Sequence, residues 1–219
     1  HGVLSFISEF AESWGISIDY FETGNLQDLE KKLVKGKTRL VWLETPANPS
    51  WVVTDLEAAA RLAHQAGALL AVDSTAATPV LTQPLELGAD LVCHSATKYL
   101  NGHSDVIAGF LAVSEPPLEI WRRIREHRKF GGAILGSMEA YLLIRGMKTL
   151  HLRVHRQCEN ALQLARFLER QELVEQVHYP GLESNPGHPV AKRQMQDGFG
   201  GMLSFQVNGG KKKALEVLS

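Results

Sequence analysis

Cysteine is scarce in this chain: Cys93 and Cys158 are the two among 219 residues. They stand far apart, so they form neither a closely spaced metal-ligand pair nor the framework of a small disulfide-stapled domain, and a reducing, cytoplasmic setting is expected. Charge of one sign is also lacking. The 23 basic and 24 acidic residues leave a formal net charge of −1, which gives no electrostatic footprint for nucleic acid or an anionic membrane. No apolar run approaches the roughly 18 to 20 residues of a membrane-spanning helix. Internal repeats and low-complexity segments are absent as well, which excludes solenoids and disordered linkers. Methionine is missing from the first position, where His1 stands, and residues 2–12 already have the pattern of a helix interior. The last residues read as a helix just beginning. The chain is therefore expected to be a piece of a longer protein, and any targeting signal lies outside what it can tell.

What is present is an apolar fraction of 44%, enough for a sizeable core. Short apolar runs alternate with helical patterns. Strands are expected at Ile16–Phe21, Arg39–Leu43, Ala68–Val72, Asp90–Cys93 and Val106–Val113. Helices are expected over residues 4–14, Asn25–Val34 with Asn25 as N-cap, Asp55–Gln65 ended by Gly67, and Pro116–His127. That alternation argues for an α/β fold with a mostly parallel sheet covered on both faces. Two further helices, Gly136–Arg145 and Leu150–Arg170, lead to a short strand at Val174–Val177, a turn-rich loop at Pro180–Pro189 and a strand at Met202–Val207. A domain boundary is expected near Lys148, with residues 1–148 in a large domain and 149–219 forming a linker helix and the start of a smaller α+β domain.

The richest segment is His94 to Gly109, which carries Ser95, Thr97 and Lys98 directly behind a buried strand. A lysine used as a covalent handle must shed its proton, and a lysine at the rim of a buried sheet is placed for that. Upstream, a second apolar strand runs into Asp73. In a parallel sheet both strand ends reach the same edge, where ligands of open α/β sheets bind. Lysine, carboxylate and hydroxyls together suit pyridoxal 5′-phosphate, whose aldehyde forms a Schiff base with lysine while an Asp pairs with its pyridinium nitrogen. Plainer roles stand beside these. An aspartate at a strand end also serves as a cap, Ser95 and Thr97 as turn hydroxyls, and Asn48 before Pro49 as a turn former.

Four segments carry a resemblance to a known family: Glu44-Thr-Pro-Ala-Asn48-Pro49, Val72-Asp73-Ser-Thr75, Ser95 through Asp105, and Gln194 through Phe205. The chain resembles the pyridoxal-phosphate enzymes of cysteine and methionine metabolism, which include cystathionine γ-synthase, cystathionine γ-lyase and methionine γ-lyase. One departure is that many members continue the aspartate with Asn-Thr-Phe, where this chain has Ser74-Thr75-Ala76.

The resemblance implies a fold-type I transferase with Lys98 as the Schiff-base lysine and Asp73 as the pyridinium partner. It further implies Ser95 and Thr97 as phosphate ligands and Asn48 at the phenolic oxygen of the cofactor. It implies γ-elimination or γ-replacement on cystathionine, an O-acyl-homoserine, cysteine or methionine, with the cystathionine enzymes favoured and methionine γ-lyase or O-acyl-homoserine sulfhydrylase as alternatives. A homotetramer with shared sites is implied too, the substrate-carboxylate arginine coming after Ser219 and the stacking tyrosine before His1. A reading of another class is a non-catalytic pyridoxal-phosphate-binding fragment or regulator.

The other polar motifs read more plainly. His103 and Asp105 are expected to hold the loop after the lysine, and Tyr99 to pack. His151 and His155 share a helix face, but Leu152 occupies the place where a zinc protease needs glutamate, so no metal is expected. Lys211-Lys212-Lys213 is expected at the surface.

Overall fold

The protein is described from a computed structural model covering residues 2–11, 13–114 and 119–218. Its main sheet has four strands, β1 (Leu40–Glu44), β2 (Leu69–Asp73), β3 (Leu91–Ser95) and β4 (Gly109–Val113), in that spatial order. The first three run parallel. β4 lies antiparallel to β3, with Ser95 opposite Gly109, so the sheet is mixed but mostly parallel. The expected strand from Val106 starts three residues late for a visible reason. The Thr97 hydroxyl accepts from Ala108 N at 2.9 Å, and Thr97 N donates to Ala108 O at 3.2 Å, so a side chain replaces the ladder there.

Helix α1 (Gly2–Phe10) precedes an extended segment, and α2 (Leu26–Lys32) follows with Asn25 capping Asp28 N. The expected strand at Ile16–Phe21 does not form. Ile16 and Tyr20 are exposed, and no described strand offers that segment a ladder. Helix α3 (Leu56–Ala66) starts at Asp55, whose carboxylate accepts from Ala58 N, and stops at Gly67 in the left-handed region (φ 79°). Its buried stripe of Leu56, Ala59, Ala60 and Ala63 lies on Val41, Leu43, Leu70 and Val72. Alanine there brings the helix close to the sheet.

Two short helices were not among the expected elements, α4 (Thr78–Leu81) and α8 (His188–Gln194), each with proline in its first turn, α8 starting inside the loop expected at Pro180–Pro189. Helix α5 (Glu119–Gly131) has no buried residue, and the expected start at Pro116 lies outside the described residues. Helices α6 (Ser137–Met147) and α7 (Leu150–Leu168) follow.

One face of α7 serves two cores. Leu150, Val154 and Cys158 pack with Val53, Ala77, Leu81 and Leu100 beside the main sheet. Further along, Ala161 and Ala165 pack with Val177, Tyr179 and Leu182, under the small antiparallel sheet of β5 (Val174–His178) and β6 (Ser204–Val207). Helix α9 (Gly210–Leu218) follows, with Lys211 and Lys212 exposed and Lys213 paired to Glu216.

Gly146 of α6 faces the backbone of Asn101 so closely that an added Cβ would strike its carbonyl. Alanine in a helix interior ordinarily adds about 1 kcal/mol over glycine, but here overpacking of about 1 to 3 kcal/mol outweighs it. Gly146→Ala is therefore expected to lower the thermal midpoint. A higher midpoint would show that α6 is free to shift.

Candidate functional site

Because β1, β2 and β3 are parallel, their carboxyl ends Glu44, Asp73 and Ser95 come to one sheet edge. Glu44 is the register partner of Asp73, and Asp73 that of Cys93. Lys98 follows β3 after one tight turn, in which Lys98 N donates to Ser95 O. Asp73 and Lys98 thus belong to adjacent strand ends of the same edge.

Asp73 is half-buried and firmly held. Its Oδ1 accepts from Thr75 N at 3.0 Å and from the Thr75 hydroxyl at 2.6 Å. No described residue donates to Oδ2. Thr75 also accepts from Ser95 N at 2.7 Å, which ties the end of β2 to the end of β3. Sequence reasoning passed over Thr75, which holds Asp73 in place. The signal was there in Asp-x-Thr at a strand end, a spacing that favours a local carboxylate turn.

Lys98 has an exposed side chain, and Ser95 is half-buried with no described partner for its hydroxyl. Thr97 differs, because its hydroxyl is engaged with both backbone groups of Ala108. Asn48 is exposed on the loop after β1, and its backbone N–H donates to Glu44 at 3.3 Å. His103 Nδ1 bonds Asn101 O at 2.7 Å, and Asp105 accepts from Asn101 Nδ2 at 2.8 Å, so both hold the loop as expected. Tyr99 packs into the core beside α7. Among the described residues no metal-binding cluster is found, and no helix is long and apolar enough to cross a membrane.

Charge is concentrated on the acidic side of this edge. Burial raises the pKa of Glu44; the Asn48 N–H opposes this, and the Asp73 charge adds to it. Burial pushes the Cys93 thiol up to about 12, with Asp73 and Glu44 contributing. His94 is drawn down by burial, against the pull of Asp73. Burial raises Cys158 as well. At pH 8 a thiol with pKa near 12 is ionised to only about one part in 10⁴. Cys93 should therefore resist iodoacetamide in the native protein at pH 8, while unfolded protein takes up labels at both cysteines by intact mass. Labelling of native Cys93 at the rate of a free thiol would refute this placement.

Beside Lys98 lies an open cleft of about 690 Å³, lined among others by Thr97, Lys98, Ser104, Asp105, Arg153 and Met202. Asp73, Ser95 and Asn48 do not line it. Asp73 and Ser95 end β2 and β3 and Asn48 lies on the loop after β1, whereas Lys98, one turn beyond β3, lines the cleft.

Comparison with known proteins agrees with this geometry. L-methionine gamma-lyase of Fusobacterium nucleatum subsp. polymorphum is 48% identical over 207 residues, covering 94% of this chain and 52% of that protein. Chloroplastic cystathionine gamma-synthase 1 of Nicotiana tabacum is 46% identical over 205 residues, 93% of this chain and 37% of that one. The crystal structure of cystathionine gamma-lyase from Lactobacillus plantarum complexed with L-serine superposes with a TM-score of 0.90 at 37% identity, covering 95% of this chain and 54% of that one. The chain spans about half the length, or less, of the relatives it matches. Its mostly parallel sheet, its lysine turn and a family model that matches residues 1–219 agree: the chain belongs to the Cys/Met metabolism PLP-dependent enzyme family.

Proposed function

We propose that the protein containing this chain is a pyridoxal-phosphate enzyme acting on sulfur amino acids by γ-elimination or γ-replacement, on cystathionine or an O-acyl-homoserine ahead of methionine. The observation that carries the reading is the sheet edge itself, where Asp73 ends β2, Lys98 lies one turn beyond the adjacent parallel β3, and Asp73 keeps one oxygen without a described donor.

The residues suit the group. The Oδ2 of Asp73 is available for a ring N–H, the Ser95 hydroxyl is available for a phosphate oxygen, and Lys98 presents an amine. Thr97 fits this role after exchanging its bonds to Ala108, and Asn48 would meet the phenolic oxygen. When bound, pyridoxal phosphate supplies an aldehyde for covalent capture of an amino group and an electron sink for charge developing at Cα.

The chain's own part is positional and acid–base. Thr75 fixes the carboxylate of Asp73, and that carboxylate, as an anion, holds a proton on a ring nitrogen. Lys98 Nζ takes the proton from substrate Cα and returns protons further along the side chain as the γ-substituent leaves. Addition of a thiol then completes replacement, whereas hydrolysis to ammonia and a 2-oxo acid completes elimination. The homotetramer, the cytoplasmic setting and a division near Lys148 belong to the same proposal; the two-sided packing of α7 supports the last.

The test uses the full-length protein. Reconstituted with pyridoxal phosphate, it should develop a visible absorption band and yield thiol and 2-oxo acid from cystathionine, or cystathionine from O-succinylhomoserine and cysteine. A band with no product from these substrates or methionine would favour a binding protein of another class.

A further inference from the structure

The turn that carries Lys98 is fastened from behind by one cation. Within residues 98–102, Lys98 O accepts from Gly102 N at 2.7 Å and Asn101 O accepts from His103 Nδ1. Tyr99 O has no backbone donor among the described residues; it accepts from Arg153 Nη1 at 3.0 Å. The same guanidinium donates through Nη2 to Gly146 O at 2.9 Å and through Nε to the Thr149 hydroxyl at 3.1 Å. Arg153 therefore joins the lysine turn, the carboxyl end of α6 and the start of α7 in one fork. A planar group with several fixed donors does this, whereas a single ammonium cannot reach both carbonyls in the same way. The arginine has no carboxylate among its hydrogen-bond partners, and the carbonyl at a helix carboxyl end is a favourable site for a cation.

Glycines at two points make room for the fork. Gly102 has φ +71°, and a Cβ on it would run into the Arg153 guanidinium. Gly146 admits the backbone of Asn101 from the other side. Lys98 itself is exposed, so its own side chain contributes little to fixing where the turn sits.

We propose that Arg153 is a positioning residue for Lys98: by bridging Tyr99 O to Gly146 O it holds the lysine turn in register with the sheet edge. The inference rests on the reading of Lys98 as the cofactor anchor. It concerns an arginine on the long helix, remote in sequence from the strand-end motifs, whose bond to the lysine turn is to the backbone at Tyr99 O.

The experiment compares Arg153→Met, Arg153→Lys and Gly102→Ala in the full-length protein. Amide exchange in the apo-protein is read over the peptide holding residues 96–106 and over β2 and β3. Arg153→Met should raise exchange in 96–106 about tenfold or more, with β2 and β3 unchanged. In the loaded enzyme it should speed loss of pyridoxal phosphate and lower kcat more than tenfold, with KM within about twofold. Arg153→Lys should recover part of both effects. Gly102→Ala should reproduce the local exchange, and its effect should shrink in the Arg153→Met background, because both changes disturb one contact.

Unchanged exchange and cofactor retention in Arg153→Met would overturn the proposal, as would an effect that spreads evenly over β2 and β3. If Arg153→Met does not fold, Arg153→Lys and Gly102→Ala decide on the same readouts. Failure of the underlying reading looks different: Lys98→Ala would then still be labelled covalently by pyridoxal phosphate and borohydride at that peptide.

Discussion

Lys98→Ala should abolish the borohydride-reducible adduct with pyridoxal phosphate and lower turnover by at least about 10³-fold, since a positioned proton-transfer group alone contributes roughly 10² to 10⁴. The fold should survive. The Lys98 side chain is exposed, and the bonds that shape its turn, Lys98 N to Ser95 O and Gly102 N to Lys98 O, come from backbone that alanine also provides. A surface change of this kind stays within about 0.5 kcal/mol. Lys98→Arg sharpens the test, because it keeps the positive charge and length but cannot lose a proton in a protein. Both variants should therefore fail alike in turnover. If Lys98→Arg retained a tenth of the activity, the lysine would be acting as a point charge and the covalent role would be wrong. The checks are mass analysis of the 96–106 peptide after reduction and steady-state assay of the full-length protein.

How far this could be read from the sequence depends on the range of the interaction. The cap at Asp55 and the stop at Gly67 are local, and α3 falls within a residue of its expected span. The direction of β4 is not local. An apolar run has a period but no polarity, so pairing against β3 with Ser95 opposite Gly109 had no sign in the residues themselves. Helices α4 and α8 were hidden by Pro79 and Pro189, which punctuate loops as readily as they start helices. Ile16–Phe21 had the composition of a strand, but pairing needs a neighbour, and the described residues supply none.

The candidate site divides the same way. The strand-end residues Asp73 and Ser95 and the lysine beyond them were legible because a parallel sheet sends every carboxyl end to one edge. Thr75 was within reach, two residues from the carboxylate it holds. Arg153 was not, because its bond to Tyr99 O spans 54 residues and depends on how α7 meets α6. Gln194 begins a recognisable segment, but its bonds could not be read there: its side chain accepts from Leu56 N at 3.1 Å, 138 residues away, and donates to Thr54 O at 3.0 Å, 140 residues away. Motif reading finds residues that share a strand end; it does not find the side chains that reach in from another element to hold them.

Asp73→Asn tests the acidic partner with little change in shape. The asparagine oxygen can still accept the two bonds from Thr75 that fix Asp73 Oδ1, so the tie from β2 to β3 through Ser95 N should remain. What is lost is the charge, and a donor NH2 replaces the oxygen free to accept. A hydrogen bond to a charged group contributes about 1.5 to 3 kcal/mol, so at about 1.4 kcal/mol per decade the rate should fall at least ten- to a hundredfold. An independent readout comes from the neighbours. The Asp73 charge helps raise Glu44 and Cys93 and partly offsets the lowering of His94 by burial, so in Asp73→Asn all three pKa values should move downward together. Titration of Glu44 and His94 by NMR checks this in the apo-protein, apart from any activity. Loss of activity with no movement in those titrations would mean that the substitution disturbed the sheet edge rather than its charge; movement with full activity would remove Asp73 from the proposed chemistry.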